Sequence, residues 1–182
     1  MKQNMLVTSY DYDVSKRLAE KLADVFSMRT LDMISLFDFD HYPNTFNDVL
    51  KINGREYIEK ELRSILKMEL DFDNVVFVTN MGFADKHEDL FYKIKLSNFV
   101  ILLKKDIESE VIELQNKQFN TKEQKDFFSA NRETLVSQEH IIEKECADIV
   151  VDISNLTDEE IIENITEGFK IVYKGIIYDY SI

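Results

Sequence analysis

The sequence predicts a three-layer α/β/α fold around a five-stranded parallel sheet, and three observations carry that expectation. Short, continuously apolar runs rich in β-branched residues recur along the chain. Each is followed by sequence with apolar residues at helical spacing, and only four Gly and one Pro punctuate the whole. Strands that are apolar throughout, with helices between them, belong in a parallel sheet covered on both faces and joined by right-handed crossovers.

The first run is MLVTS (5–9), followed by the amphipathic DVSKRLAEKLADVF (13–26). MRTLDM (28–33) is a fainter strand, and LFDFDHYPNTFND (36–48) reads as a polar, aromatic-rich loop or short helix. REYIEKELRSILKMEL (55–70) is helical in period, VVFVT (75–79) and FVILL (99–103) are strands, and DIESEVIELQNKQF (106–119) is again helical. DIVVDI (148–153) supplies the fifth strand. In the closing helix, TDEEIIENITEGFKIVY (157–173), Thr157 is a good N-cap, with Asp158, Glu159 and Glu160 in the first turn where the helix dipole favours acids.

With 182 residues, 45% of them apolar and including 13 Phe and 8 Tyr, the chain suits one domain spanning 1–182. Its core is expected over about 4–174, with a short tail at 175–182. Lys and Arg number 22 against 35 Asp and Glu, a formal charge of −13. That field repels nucleic acid, anionic membranes and free nucleotides, so a polyphosphate site would need a concentrated local set of donors. The lone Cys146 excludes an internal disulfide and a cysteine zinc cluster, and its apolar flanks suit a buried, reduced thiol. The opening MKQNMLVTSYDYD lacks the apolar length of a signal peptide, and no run approaches a membrane span. A cytoplasmic location is the expectation.

In such a fold the site lies at the carboxyl ends of the strands. Those ends are Ser9 to Asp13, Asp32 to Ile34, Asn80 to Phe83 and the region after Leu103. The order strand, turn, SKRLAEKLADVF, strand, LDM resembles the opening of the shikimate kinases, members of the P-loop kinase fold, where a phosphate-binding loop leads into a helix. NGREYIEKELRSIL resembles the family's G-E-x-x-F-R-x-x-E helix, and NVVFVTNMGF its strand leading to Gly-Gly-Gly. NFVILLKKDIES is similar to its next strand and helix, and EHIIEKECADIVVDISNLT to its R-x-P-L-Y-x-E-x-A-D segment. The resemblance covers about residues 4 to 170 and implies a P-loop kinase fold.

Position by position, the residues that the resemblance would make functional are absent, except the first acid of the family's D-x-D, Asp32. A Walker A loop is G-x-x-x-x-G-K-[ST], because Gly lets backbone N–H groups close around phosphate, Lys neutralises its oxygens and the hydroxyl binds magnesium. Here the turn is VTSYDYDVSKR, shorter and without Gly. Tyr10 and Tyr12 are bulky, and Asp11 and Asp13 place negative charge where phosphates would sit. Two unit charges about 4 Å apart repel by roughly 4 kcal/mol at an effective dielectric near 20, about a thousandfold in affinity. Ser15 and Lys16 offer the required hydroxyl and ammonium in reversed order, but their spacing from Leu18 to Leu22 favours the first turn of a solvated helix face.

The family's D-x-D falls on Asp32, Met33 and Ile34, and the Arg that would grip the shikimate carboxylate falls on Ile58 or Glu59. Gly-Gly-Gly becomes Asn80, Met81 and Gly82, and the late substrate-binding Arg becomes Glu139, with Arg132 seven residues upstream. The lid region, 115–135, holds Lys117, Lys122, Lys125 and Arg132 balanced by Glu123, Asp126 and Glu133, which reads as a solvated helix face.

His41, His87 and His140 have no two-His metal spacing, although His41 lies beside Asp38 and Asp40; structural or solvated roles are expected and no metal site. No G-x-S-x-G elbow is present. The strand-end residues Ser9, Tyr10, Asp11, Tyr12, Asp13, Ser15, Lys16, Asp32, Asn80 and Gly82 form the candidate ligand pocket. Its acids and tyrosines read as a solvated acidic rim, as a pocket for a cationic or hydroxyl-rich ligand, or as a protein-docking patch. The expectation is a non-catalytic protein that binds another protein or a small ligand, with no cofactor, nucleic acid or membrane partner. The alternative is a divergent kinase using ATP and magnesium through Lys16, Asp32 and the lid lysines. The oligomeric state is left open.

Overall fold

The computed structural model describes residues 4–9, 11–69, 71–80, 88–105 and 145–177. In chain order the elements are β1 (Asn4–Ser9), α1 (Tyr12–Phe26), β2 (Arg29–Asp32), α2 (Met33–Asp40), α3 (Phe46–Asn53) and α4 (Arg55–Glu69). They continue with β3 (Val75–Asn80), α5 (Glu88–Ser97), β4 (Asn98–Lys104), β5 (Ile149–Asp152) and α6 (Asp158–Ile177). The strands form one five-stranded sheet in the order β2-β3-β1-β4-β5, every adjacent pair parallel.

Alternation along the strands divides the core between two layers of helices. Leu6, Phe77, Val100 and Leu102 pack with Met33 and Phe37 of α2, Val49 of α3, Ile58, Leu62 and Leu66 of α4, and Leu90 and Ile94 of α5. Met5, Val7, Val76, Val78, Phe99 and Ile101 point the other way, against Leu18, Ala19, Leu22 and Ala23 of α1 and Ile161 and Ile165 of α6. Ala19 and Ala23 leave room for α1 to lie close on the sheet, and the i, i+4 pair Leu18 and Leu22 fills the contact. Cys146 is buried, as its flanks predict. Among the described residues no helix is long and apolar enough to cross a membrane.

The register is fixed at the amino end of the sheet. The Asn4 amide donates to Phe72 O at 2.7 Å and accepts from Val75 N at 3.1 Å, so one side chain holds β1 and the start of β3 together. From there the pairing runs from Met5 opposite Val76 to Ser9 opposite Asn80.

The segment 36–48, expected as a loop or one short helix, is the end of α2, a turn and the start of α3. Asp32 caps α2, and Thr45 with Asp48 forms a reciprocal capping box for α3. Phe37 and Phe46 meet edge to face at 5.2 Å between centroids, which turns the aromatic content inward at those two positions. Tyr12 belongs to α1 rather than to the preceding turn, and the last helix runs four residues beyond Tyr173, to Ile177. The expected helix at 106–119 and the lid at 115–135 lie outside the described residues.

Helix α1 ends at Ser27, which takes a left-handed φ of 52° while Met28 N–H returns to Ala23 O at 2.8 Å. A side chain is strained in that conformation and glycine is not. Ser27→Gly should therefore raise stability by up to about 1 kcal/mol, read as a higher urea midpoint with an unchanged slope.

Helices α1 and α6 are joined at the surface by Arg17, whose guanidinium donates twice to Asp158 (2.9 and 3.1 Å), and by Lys21, which reaches Asp158 and Glu159. The Arg17 hydrogen bond, and then that from Lys21, hold the Asp158 carboxyl below its ordinary range. A carboxyl depressed in the folded state contributes stability above its unfolded pKa and loses it as pH falls through the folded one. Asp158→Asn should thus be destabilising at pH 7, by less than about 1 kcal/mol because Arg17 is half exposed, with the difference beginning to shrink below about pH 4 and gone only once pH has fallen through the depressed folded-state pKa. Urea titrations of both proteins across that range give the comparison.

Candidate functional site

The carboxyl ends of β1 and β2 and the first turn of α1 converge. Ser9 closes β1, residues 10 and 11 make the connection, and Tyr12 opens α1. At that helix start the Asp11 carboxylate accepts from Asp13 N at 3.0 Å and Val14 N at 3.3 Å. These amides and the positive end of the helix dipole are what an N-terminal anion site offers a ligand. Here the chain's own carboxylate takes them.

Beneath the cap lie two hydroxyls. Ser9 Oγ donates to Asp11 O at 2.6 Å, and Ser15 Oγ is 2.7 Å from Ser9 Oγ, so Ser15 is the donor in that pair. Both serines are fully buried. The expectation of a solvated Ser15 is therefore corrected. Ser15 precedes Leu18, Ala19 and Leu22 by three, four and seven positions, the spacing of one helix face, and that face is the one on the sheet.

Lys16 is 41% exposed along its length, yet its ammonium is 2.8 Å from Asp32 Oδ2. Asp32 ends β2 and caps α2: Oδ1 accepts from Ile34 N at 2.9 Å, Ser35 N at 3.1 Å and the Tyr12 hydroxyl. Ile34 N also lies 3.3 Å from the Tyr12 oxygen. With 8% exposure Asp32 is no part of a solvated rim, and its charge is answered inside the structure. The structure thus brings together Ser9, Asp11, Tyr12, Ser15, Lys16 and Asp32, with Asp13 exposed at the helix start.

Asn80 ends β3 opposite Ser9 in the register. Tyr10 and Gly82 lie outside the described residues, as do Met81, His87, Arg132, Glu139 and His140. At the position expected for a carboxylate clamp, Ile58 is buried in the core and Glu59 faces Arg55 at 2.7 Å. His41 stacks on Phe37 at 4.1 Å, with Nδ1 2.8 Å from Phe37 O and Nε2 3.2 Å from the Tyr57 hydroxyl, so it braces α2 against α4. Among the described residues no group of three or more His, Cys, Asp or Glu could hold a metal ion. The pairings Tyr12 to Asp32 and Lys16 to Asp32 span 20 and 16 positions, and no local sequence pattern announces either.

The five-stranded parallel sheet with helices on both faces is the fold of solved shikimate kinases and a gluconokinase. The chain superposes on shikimate kinase from Acinetobacter baumannii, solved with shikimate, with a TM-score of 0.72, 13% identity, and 96% and 94% of the two chains covered. It superposes on shikimate kinase from Bacteroides thetaiotaomicron with a TM-score of 0.70 and 13% identity over 94% of this chain and 98% of that one. A gluconokinase from Sinorhizobium meliloti is similar over 98% of both chains, with a TM-score of 0.62 and 10% identity. No family model matches the sequence, and no curated protein matches it. The chain therefore has the shikimate-kinase type of P-loop kinase fold.

Removing the cap tests its structural weight. Asp11→Ala should cost about 1 kcal/mol, whereas Asp11→Asn, which keeps an accepting oxygen, should cost a few tenths at most. Equal losses in urea denaturation would mean that the oxygen's bonds to Asp13 and Val14 contribute little.

Proposed function

We propose that this protein keeps the P-loop kinase fold without its ATP-dependent phosphoryl transfer, and acts by binding a protein or a small ligand. The observation that carries the reading is the Asp11 carboxylate on the α1 amides, where a nucleotide phosphate would be cradled. An incoming phosphate would have to displace a covalently tethered anion and then lie beside Asp13. The turn VTSYDYDVSKR has no Gly to let backbone amides close around a phosphate.

Two other features agree. Lys16, the cation nearest this turn in sequence, is held by Asp32, and releasing it would leave a nearly buried carboxylate without its counter-ion. The helix position of a carboxylate clamp carries apolar Ile58 or anionic Glu59, neither of which can grip an acid substrate.

Thermal unfolding with and without about 5 mM magnesium-ATP decides the matter, since a submillimolar binder would gain over about 1 kcal/mol. The expected result is superimposable transitions. An upward shift that disappears in Lys16→Ala would overturn the proposal and return the chain to the phosphotransferases.

A further inference from the structure

The turn between α2 and α3 carries two large aromatic side chains in solvent: Phe39 is 80% exposed and Tyr42 is 86% exposed. They are adjacent on a tight turn, because Tyr42 N donates to Phe39 O. Each such ring offers on the order of 150–250 Å² of contact area.

The backbone that presents them is braced from beneath. His41, between the two, is stacked on buried Phe37 and bonded to Phe37 O and the Tyr57 hydroxyl. Asn44 N donates to His41 O, and Asp38 Oδ1 accepts from Phe46 N at 2.5 Å. With the backbone of the turn fixed, docking has only the two ring rotamers left to order.

The electrostatic setting points to the partner. From residue 33 to residue 50 the chain has Asp38, Asp40 and Asp48 and no Lys or Arg. Asp40, exposed, lies between Phe39 and Tyr42 in sequence, and the Asp48 carboxyl is held below its ordinary range by its bonds from Thr45. Aromatic faces beside carboxylates suit guanidinium and ammonium groups, which stack on the ring while pairing with the acid.

We propose that Phe39, Asp40 and Tyr42 form the docking surface for a cationic, Arg- or Lys-bearing segment of a partner protein. This rests on the reading of the chain as a binding protein and supplies the chemistry of its partner. A second copy is a poorer occupant, because two chains of charge −13 repel.

The test uses fluorescence anisotropy of a labelled Arg-Gly repeat peptide, with a Glu-Gly repeat of equal length as control, at about 150 mM salt, where the diffuse field is screened beyond about 8 Å. The wild-type protein should bind the Arg peptide and not the Glu peptide. Phe39→Ser/Tyr42→Ser should bind about tenfold more weakly, and Asp40→Asn several-fold more weakly, with melting temperatures unchanged because the replaced side chains are exposed. No binding by the wild type would overturn the proposal. So would equal binding by the double variant, since diffuse charge alone would then suffice. A wild-type dimer in sedimentation that the double variant abolishes would also overturn it, assigning the patch to a second copy. A flat peptide titration leaves the ATP result standing, and an ATP-induced melting shift leaves the peptide result standing, so the two readings fail separately.

Discussion

A carboxylate with 8% exposure is costly unless donors and a counter-ion surround it, and Asp32 has three donors on Oδ1 and an ammonium beside Oδ2. Two of the donors are amides of the helix it caps and one is the Tyr12 hydroxyl, while Lys16 supplies the counter-ion as an ion pair. That single group ties β2, α1 and α2 into one corner. Tyr12 and Lys16 lie one turn apart on α1, so both can reach back to the same acid. The orientation of α1 over the strand ends follows from this, and the Asp11 cap closes the turn that leads into it.

The strands were legible because a sheet buried on both faces demands apolar residues at every position, and such runs stand out against a charged sequence. β1, β3 and β4 differ from expectation by at most a residue at either end, and β2, a four-residue edge strand, was correspondingly faint. The site was less legible. Ser15 looked solvated because it is polar and stands at a helix start, although its spacing from Leu18 and Leu22 already placed it on the apolar face. The α2–α3 hairpin was hidden because its start signals, Asp32 and the Thr45–Asp48 box, sit in sequence whose acids and aromatics suggest a loop. Tyr12, Lys16 and Asp32 meet only through the fold.

The acidic composition takes on a different meaning once the acids are placed. Asp11, Asp32, Asp38, Asp48, Asp148 and Asp152 each accept a backbone N–H, and Glu160 accepts from Thr157 N at its helix start. A chain with few glycines and one proline has few other means of ending strands and starting helices, and side-chain acceptors at those points fill that need. Much of the charge is therefore architectural.

The Asn4 amide acts on this corner from the opposite end of the sheet. Five steps along the strand, roughly 17 Å, separate it from Ser9. Its clamp serves as the datum from which positions along β1 and β3 are measured. A slip of one residue there would exchange the two faces of β1, sending Ser9 away from Ser15 and Thr8 into its place. The alignment of hydroxyls beneath the Asp11 cap is in that sense set by an amide that never comes near it.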